Sequence, residues 1–457
     1  MARKILIVGA GQSGLQLALG LQRHGYEVTV VSARTPAEIR GGRVMSTQAM
    51  FDSALQHERE LGVNFWEQQA PPIQGMQISV VGPDGGRALN WLGRLDRPGR
   101  SVDQRVKMSG WLETFRNQGG RVVIHGATLS DLDALVSMYD LTVVAAGKGE
   151  LVSLFARDHE RSTFTEPQRA LAVVYVRGLA PRPEFPDVTA VHFDLIPGVG
   201  ELFIMPALTT TGPCQILFFE GIPGGELDCF SGVSTGAEQL KLTLQLMEKF
   251  TPWEHERARR IELTDPGGFL SGRYAPVVRK PVGRLPSGGI VLGMADVVVA
   301  NDPITGQGSN NASHCAAIYQ QAILDHGSRP FDEEFMHYAF EAYWDDVRWV
   351  TAWTDALLRP PPPHVLELLG AAQAHEEVRR RFANGFNNPR DFFDWFMDPG
   401  RAAAYLADVT RRAGAGVGRP VGQAPYHRPP RGSGQGAGAT QRSQPGGLPG
   451  RGTAADG

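Results

Sequence analysis

Residues 5–8 (Ile5-Leu6-Ile7-Val8) form a short unbroken apolar run, the pattern of a strand buried on both faces. A glycine-rich turn follows. Residues 12–24 then carry Leu15, Leu17, Leu19 and Leu21 in a helical pattern that Gly25 ends. Residues 26–31 alternate into a second strand. Strand, turn, helix and strand within roughly thirty residues make a βαβ unit.

Residues 35–120 are mixed and rich in Gly and Arg, with a helix predicted over 48–62. Residues 141–146 form another apolar run between Asp140 and Gly147. Strands are predicted at 170–176, 188–193, 202–205 and 215–219, separated by Gly and Pro, and such a block can supply a sheet over a pocket. Residues 234–262 read as helix, and 289–293 return to strand before a glycine-rich turn and a helix over 312–324. The span 332–358 reads as one long helix that the prolines at 360–363 stop, with more helix between 364 and 412. Beyond Gly414 the chain is rich in Gly, Pro, Arg and Gln and almost devoid of apolar residues, so it is expected to be disordered. No internal repeat is found.

Composition narrows the function classes. The chain has 457 residues, 42% hydrophobic and 20% charged, with a formal net charge of −3 that gives no electrostatic case for nucleic acid or an acidic membrane surface. Cys214, Cys229 and Cys315 are few, odd in number and without metal spacing, which points to buried thiols in a reducing compartment and to no metal site. Arg3-Lys4 and the apolar run after them resemble the start of a signal peptide, but Gly9, Gly11 and Gly14 break it and no cleavage site follows. No run reaches the roughly 18 apolar residues of a membrane span. A cytoplasmic protein is expected.

Two motifs carry chemistry. Gly9-Ala10-Gly11-Gln12-Ser13-Gly14 is a GxGxxG between a buried strand and a helix. Glycine suits the tight turn, the close approach of a pyrophosphate and the helix packing, while the helix N-terminus offers free N–H groups. A purely structural turn is the competing reading. The acid that normally ends the second strand to bind ribose is missing: Ser32-Ala33-Arg34 stand there. Either Ser32 and Arg34 serve the nucleotide, or it is held loosely, or the sequence has drifted.

The second motif is Gly293-Met294-Ala295-Asp296 followed by 301–310, in which Pro303, Gly306, Gln307, Gly308, Ser309 and Asn310 stand before a helix. An acid after a strand suits the ribityl hydroxyls of a flavin, and the glycines let backbone N–H groups approach a planar ring. The helix N-terminus would stabilise the negative charge of reduced flavin. A plain strand-to-helix loop is the alternative, weakened by the pairing of the two motifs.

With these motifs in place, the chain resembles the FAD-dependent epoxidase component of the two-component styrene and indole monooxygenases, from Ile5 to about Pro399. The resemblance also rests on Gly42-Arg43, Ser101-Val102-Asp103-Gln104-Arg105, Asp140-Leu141 through Gly147-Lys148, Pro167-Gln168-Arg169-Ala170-Leu171, Gly200-Glu201-Leu202, Asp302-Pro303 to Gly308, Trp353-Thr354 and Phe386-Asn387. It implies an α/β fold: a Rossmann-like FAD-binding domain of the glutathione-reductase type, a β-rich substrate domain and C-terminal helices. The division expected is 1–150 and 276–330 for FAD, 151–275 for substrate, 331–412 helical and 413–457 a low-complexity tail. It further implies that a separate NADH-dependent flavin reductase delivers reduced FAD as a co-substrate, and that reaction with O2 gives a C4a-(hydro)peroxyflavin that epoxidises a styrene- or indole-like substrate. Ser46, within Val44-Met45-Ser46-Thr47, stands where this family tends to have Asn.

Such chemistry asks the protein to position an apolar substrate and exclude water rather than to supply a catalytic triad. Ser46, Thr47 and His192 are the candidates for contact with the reacting oxygen, His192 against the reading of a buried, satisfied histidine. Arg43 faces the flavin or is a surface arginine, and Asp103 with Arg105 is a flavin contact or a structural ion pair. Phe193, Leu202, Ile204, Leu217 and Phe219 face the substrate or, for most of them, form sheet core. Trp344, Trp349 and Trp353 have helical spacing and read as packing. The alternatives are a single-component NAD(P)H-dependent hydroxylase and a non-catalytic flavin-binding protein. A halogenase is disfavoured by the absence of Trp-x-Trp, and the short polar tail by itself makes no reductase domain. Oligomeric state, including a homodimer, stays open.

Overall fold

The computed structural model describes residues 2–417 apart from Lys148. Strand β1 (Lys4–Val8) leads through the glycine turn into α1 (Gln12–Arg23) and β2 (Glu27–Ser32). Helices α2 (Pro36–Arg40) and α3 (Asp52–Glu60) precede a long hairpin, β3 (Pro72–Val81) and β4 (Arg87–Arg100). Then come α4 (Gln104–Asn117), β5 (Arg121–Ile124), α5 (Leu129–Leu135) and β6 (Leu141–Val144).

The middle of the chain holds β7 (Ala170–Arg177), β8 (Ala190–Ile196), β9 (Gly200–Thr209), β10 (Gly212–Gly221), α6 (Gly236–Phe250) and α7 (Pro252–Arg257). Short strands β11 (Glu262–Leu263), β12 (Phe269–Gly272), β13 (Val277–Val278) and β14 (Val282–Arg284) lead to β15 (Ile290–Gly293) and β16 (Val299–Ala300). Helices α8 (Gly308–His326), α9 (Glu333–Leu357), α10 (Pro363–Ala374), α11 (Glu376–Gly385) and α12 (Pro399–Val417) follow. Of the tail expected from residue 413, positions 418–457 lie outside the described residues.

Two sheets organise these elements. The six-stranded sheet has the order β14-β15-β6-β1-β2-β5. It is parallel from β15 to β5, and β1 is buried along Ile5–Val8 as the apolar run predicts. The second sheet runs β11-β7-β10-β9-β8-β3-β4, with β12 also on β7. The hairpin at 72–100, for which the sequence pattern offers no clear period, therefore belongs to the second sheet, through a parallel pairing of β3 with β8. The helix predicted over 234–262 is broken after Thr251 because Pro252 has no N–H to continue it; Pro252 instead opens α7, where that loss is harmless.

Alternation along the second sheet divides its side chains between two cores. Val173, Tyr175, Phe193, Phe203, Met205, Ile216 and Phe218 share one core with Val44, Ile304 and Trp353. Val174, Leu202, Ile204, Leu217 and Phe219 share the other with Leu246 and Met247 of α6.

Candidate active site

The carboxyl ends of β1, β6 and β15 bring the two motifs together. Gly9 has φ +123 and donates its N–H to the Val31 carbonyl at 2.9 Å; a Cβ there would sit 2.7 Å from the Ala145 carbonyl carbon. A Cβ on Gly14 would lie 2.2 Å from the Gly9 oxygen, so the helix meets the turn too closely for any side chain. These two glycines are explained by the protein itself. Gly11 is not: its φ of −87 suits any residue and a Cβ would meet nothing within 4 Å. It caps α1 with no side-chain bond to the first-turn N–H groups. An open glycine before an uncapped helix fits the approach of a dinucleotide pyrophosphate.

The second loop repeats the arrangement. Gly306 turns left-handed at φ 64, a Cβ on Gly308 would meet nothing within 4 Å, and Gln307, which caps α8, makes no side-chain bond to its first turn. Before it, Ala295 has φ +50, the one such non-glycine residue among those described. That costly turn leaves Asp296 exposed between buried neighbours, and a Cβ on Gly147 at the end of β6 would lie 3.0 Å from the Asp296 Cβ. Sequence reasoning missed Ala295, since alanine carries no mark of a positive φ. The two loops thus offer two uncapped helix starts, two glycines with open space beside them and an acid projected by a strained turn, features that fit a dinucleotide cofactor.

Several expected contacts are directed inward. Gln12, buried, donates to Glu58 at 3.2 Å, and Glu58 takes the Lys107 ammonium at 2.6 Å. Ser13 and Ser309 are buried. Ser32 at the end of β2 donates to the Arg34 carbonyl at 2.6 Å, and Arg34 itself is exposed with a guanidinium nitrogen 3.1 Å from the Met45 sulfur. Arg43 is exposed, its guanidinium 4.0 Å from the centre of the Phe269 ring.

Asp103 is 1% exposed and accepts from Arg105 and from the Thr209 hydroxyl at 2.6 Å. Arg105 in turn clasps Asp265 with two bonds of 2.9 Å and donates to the Gly42 carbonyl at 3.1 Å. This network holds the loop that carries Arg43. Asn310 pins the next stretch: its amide donates to the Ala49 carbonyl and its oxygen accepts from the Phe51 N–H, both at 2.8 Å. Gln307 donates to the Phe386 carbonyl at 3.0 Å and Pro303 follows the N-cap Asp302.

Between these anchors, Ser46 and Thr47 are half-buried, and the Ser46 carbonyl accepts from the Tyr175 hydroxyl at 2.9 Å. Gln48 donates to the same hydroxyl at 3.1 Å. Burial raises the Tyr175 phenol well above its usual range, so it stays a donor. It was not among the sequence candidates, and only the ladder position of β7 brings it under the loop.

His192 lies elsewhere. Strand parity puts it opposite Phe193, on the face away from Val44 and Ile304, with Nδ1 3.2 Å from the Arg257 guanidinium. Burial, reinforced by Arg182 and Arg257, holds its imidazole well below the usual range and therefore neutral. Of the five apolar strand residues considered for the pocket, Phe193 alone shares the core with Val44 and Ile304 of the two glycine-motif loops; Leu202, Ile204, Leu217 and Phe219 are core under α6. Trp353 packs on Phe392 at 4.5 Å and Phe386 at 5.0 Å, and Trp349 on Phe393 at 4.9 Å.

Comparison with known proteins bears on this arrangement. Residues 4–70 match the pyridine nucleotide-disulphide oxidoreductase family and residues 147–257 the styrene monooxygenase A substrate binding domain. Styrene monooxygenase StyA of Pseudomonas fluorescens is 32% identical over 413 residues, 88% of this chain and 97% of that one. The chain belongs to the styrene monooxygenase family. It is a flavin-dependent monooxygenase that uses FAD and O2. StyA of a Pseudomonas sp is 31% identical over 419 residues, 89% of this chain and 98% of its own. Among solved structures, the flavin-dependent brominase Bmp2 has a TM-score of 0.58 at 13% identity, covering 86% of this enzyme and 99% of that chain, which shows a shared fold. No described helix is long and apolar enough to cross a membrane.

Proposed function

We propose that the enzyme is the oxygenase component of a two-component system: it takes reduced FAD from a separate NADH-dependent flavin reductase and epoxidises a small apolar styrene- or indole-like alkene. The observation that carries this reading is the end of β2. The Ser32 hydroxyl is taken by the Arg34 carbonyl, and no acid stands beside it to hold a ribose. A dinucleotide anchored at its pyrophosphate but not at this ribose suits a flavin that arrives from solution and leaves again.

In this reading Gly9, Gly11 and Gly14, with the first turn of α1, receive the pyrophosphate, and Asp296 takes the ribityl hydroxyls. Loop 303–310 and the start of α8 approach the ring. FAD, when bound, supplies the activated oxygen. The chain's own part is placement: Tyr175 fixes the Ser46 carbonyl, and the aromatic face of Phe193, Phe203 and Phe218 offers an apolar wall that orients the substrate and keeps water out.

Aerobic turnover of styrene and indole with chemically reduced FAD, without reductase or NAD(P)H, tests the proposal. Epoxide or indigo is the expected product. Activity that appears only when NAD(P)H is added to the enzyme alone identifies a single-component hydroxylase instead.

A further inference from the structure

Three of the sequence stretches singled out above, around Arg169, Glu201 and Asp302, converge on one buried group of charges. Glu220 of β10 completes it: it is 0% exposed, no N–H or O–H donor reaches either carboxyl oxygen, and the Asp302 carboxyl stands within hydrogen-bond reach. Its place in β10 puts it on the face of Ile216 and Phe218, toward the flavin-side loops, and directly across the ladder from Glu201 of β9. Asp302, 3% exposed, accepts the Ile304 N–H at 3.1 Å and thereby sets the start of the loop that turns at Gly306. The nearest cation is already occupied. Arg169 gives Glu201 two bonds of 2.8 and 2.9 Å and gives the Gln168 carbonyl a third at 3.0 Å.

The Arg169 guanidinium thus bonds one of three buried carboxyls, and an ionised carboxylate with no donor is among the most costly groups to bury. Two carboxyls side by side attract only when one of them carries the proton. Glu220, which no donor reaches, is the group that must be neutral. Burial and the negative neighbours Asp302 and Glu201 push it well above the usual carboxylate range, and Asp302 is pushed up to about 6. Tyr274, whose hydroxyl donates to the Asn301 carbonyl, is the neighbouring ionisable group, pushed up by burial and by the charges of Asp302, Asp296 and Glu220.

We propose that Glu220 is a positioning residue: it donates a proton to Asp302, and this carboxyl–carboxylate bond latches loop 301–308 to the substrate-side sheet in the form that receives FAD. The inference rests on the assignment of that loop to the flavin. Loss of the shared proton at alkaline pH leaves two adjacent anions, releases the loop and weakens FAD binding. A neutral donor of the same shape at position 220 keeps the latch closed at every pH.

FAD titrations of the full chain from neutral to alkaline pH, with infrared spectra of the ligand-free protein, test the latch. For the wild type, affinity falls by about tenfold per pH unit above the titration, as loss of one linked proton requires. In Glu220→Gln, whose amide donates permanently to Asp302, affinity stays high and flat with pH; in Glu220→Leu it is low throughout. The C=O band of the Glu220 carboxyl appears in the wild-type minus Glu220→Gln difference spectrum, in which the other buried acids cancel. Absence of that difference band, or equal pH slopes in the two proteins, overturns the proposal. Gly308→Ala separates the underlying assignment, because its Cβ meets no protein atom within 4 Å. Unchanged FAD affinity in that variant, with the infrared result intact, means that the proton is held but the loop does not bind flavin, and the latch falls with that assignment.

Discussion

At the scale of single residues, the glycines of the first motif separate into two kinds with opposite consequences. Gly9→Ala forces a Cβ to within 2.7 Å of backbone at a φ of +123, a strain of about 1–3 kcal/mol or more, so melting temperature and FAD affinity should fall together. Gly11→Ala meets nothing in the protein. Its melting temperature should stay within a degree or two of wild type, at most about 0.5 kcal/mol, while FAD binding weakens at least tenfold. Equal FAD affinity in Gly11→Ala would remove the pyrophosphate from this turn. Ser32→Glu restores the acid that the second strand lacks. It should tighten FAD by about 1–2 kcal/mol and slow its release, read by stopped-flow displacement. None of this division is visible in the sequence, where the three glycines look alike; it comes from what stands beside each one.

At the scale of elements, the parity of the second sheet decides which aromatic residues share the core with Val44 and Ile304, the side on which the substrate is proposed to lie. The stretches at 202–205 and 215–219 are apolar at almost every position, so the sequence shows strands but no preferred face. The ladder settles the matter: Phe203 pairs with Phe193 and Phe218, and Leu217 pairs with Ile204. Leu217→Ala should therefore cost about 2–5 kcal/mol in chemical denaturation with epoxide enantiomer ratios unchanged. Phe203→Ala should cost a similar amount and also shift those ratios. The reverse pattern would place the pocket under α6. The Asp103–Arg105–Asp265 network works at this scale too, because it ties α4 to the loops at 42–43 and 265–268. Asp265→Ala leaves Arg105 with one acid in place of two, and a loss of about 1–3 kcal/mol is expected, seen in denaturant midpoints.

For the whole molecule, buried ionisable groups set the response to pH. His314 on α8 stands 3.3 Å from His57 of α3, and burial lowers its imidazole to about 4. A histidine neutral in the fold but ordinary when unfolded makes the unfolded chain bind more protons between those two values. Stability is thus full above about pH 6.5 and declines as pH falls toward 4, by about 3 kcal/mol for this group. His192 acts in the same direction, whereas the raised Asp302 and Glu220 lose stability as pH rises. In His314→Gln the drop in unfolding free energy between about pH 7 and about pH 5 should shrink by about 2 kcal/mol, the share of this one group. An unchanged drop would assign the acid sensitivity to other groups.

The sequence alone determined the βαβ unit, the two glycine motifs nearly three hundred residues apart and the acid missing after the second strand. Each of these is a local pattern: an unbroken apolar run, a turn that needs glycine, a helix start without a cap. Tertiary structure alone decided what depends on pairing between distant strands. It put the 72–100 hairpin into the second sheet, turned His192 away from the flavin-side loops and drew Tyr175 under Ser46. It also gathered Arg169, Glu201, Glu220 and Asp302 into one buried cluster. A shift of one residue in register would invert every one of these faces, and the two-sided apolar strands of this sheet leave that register unwritten in their own residues.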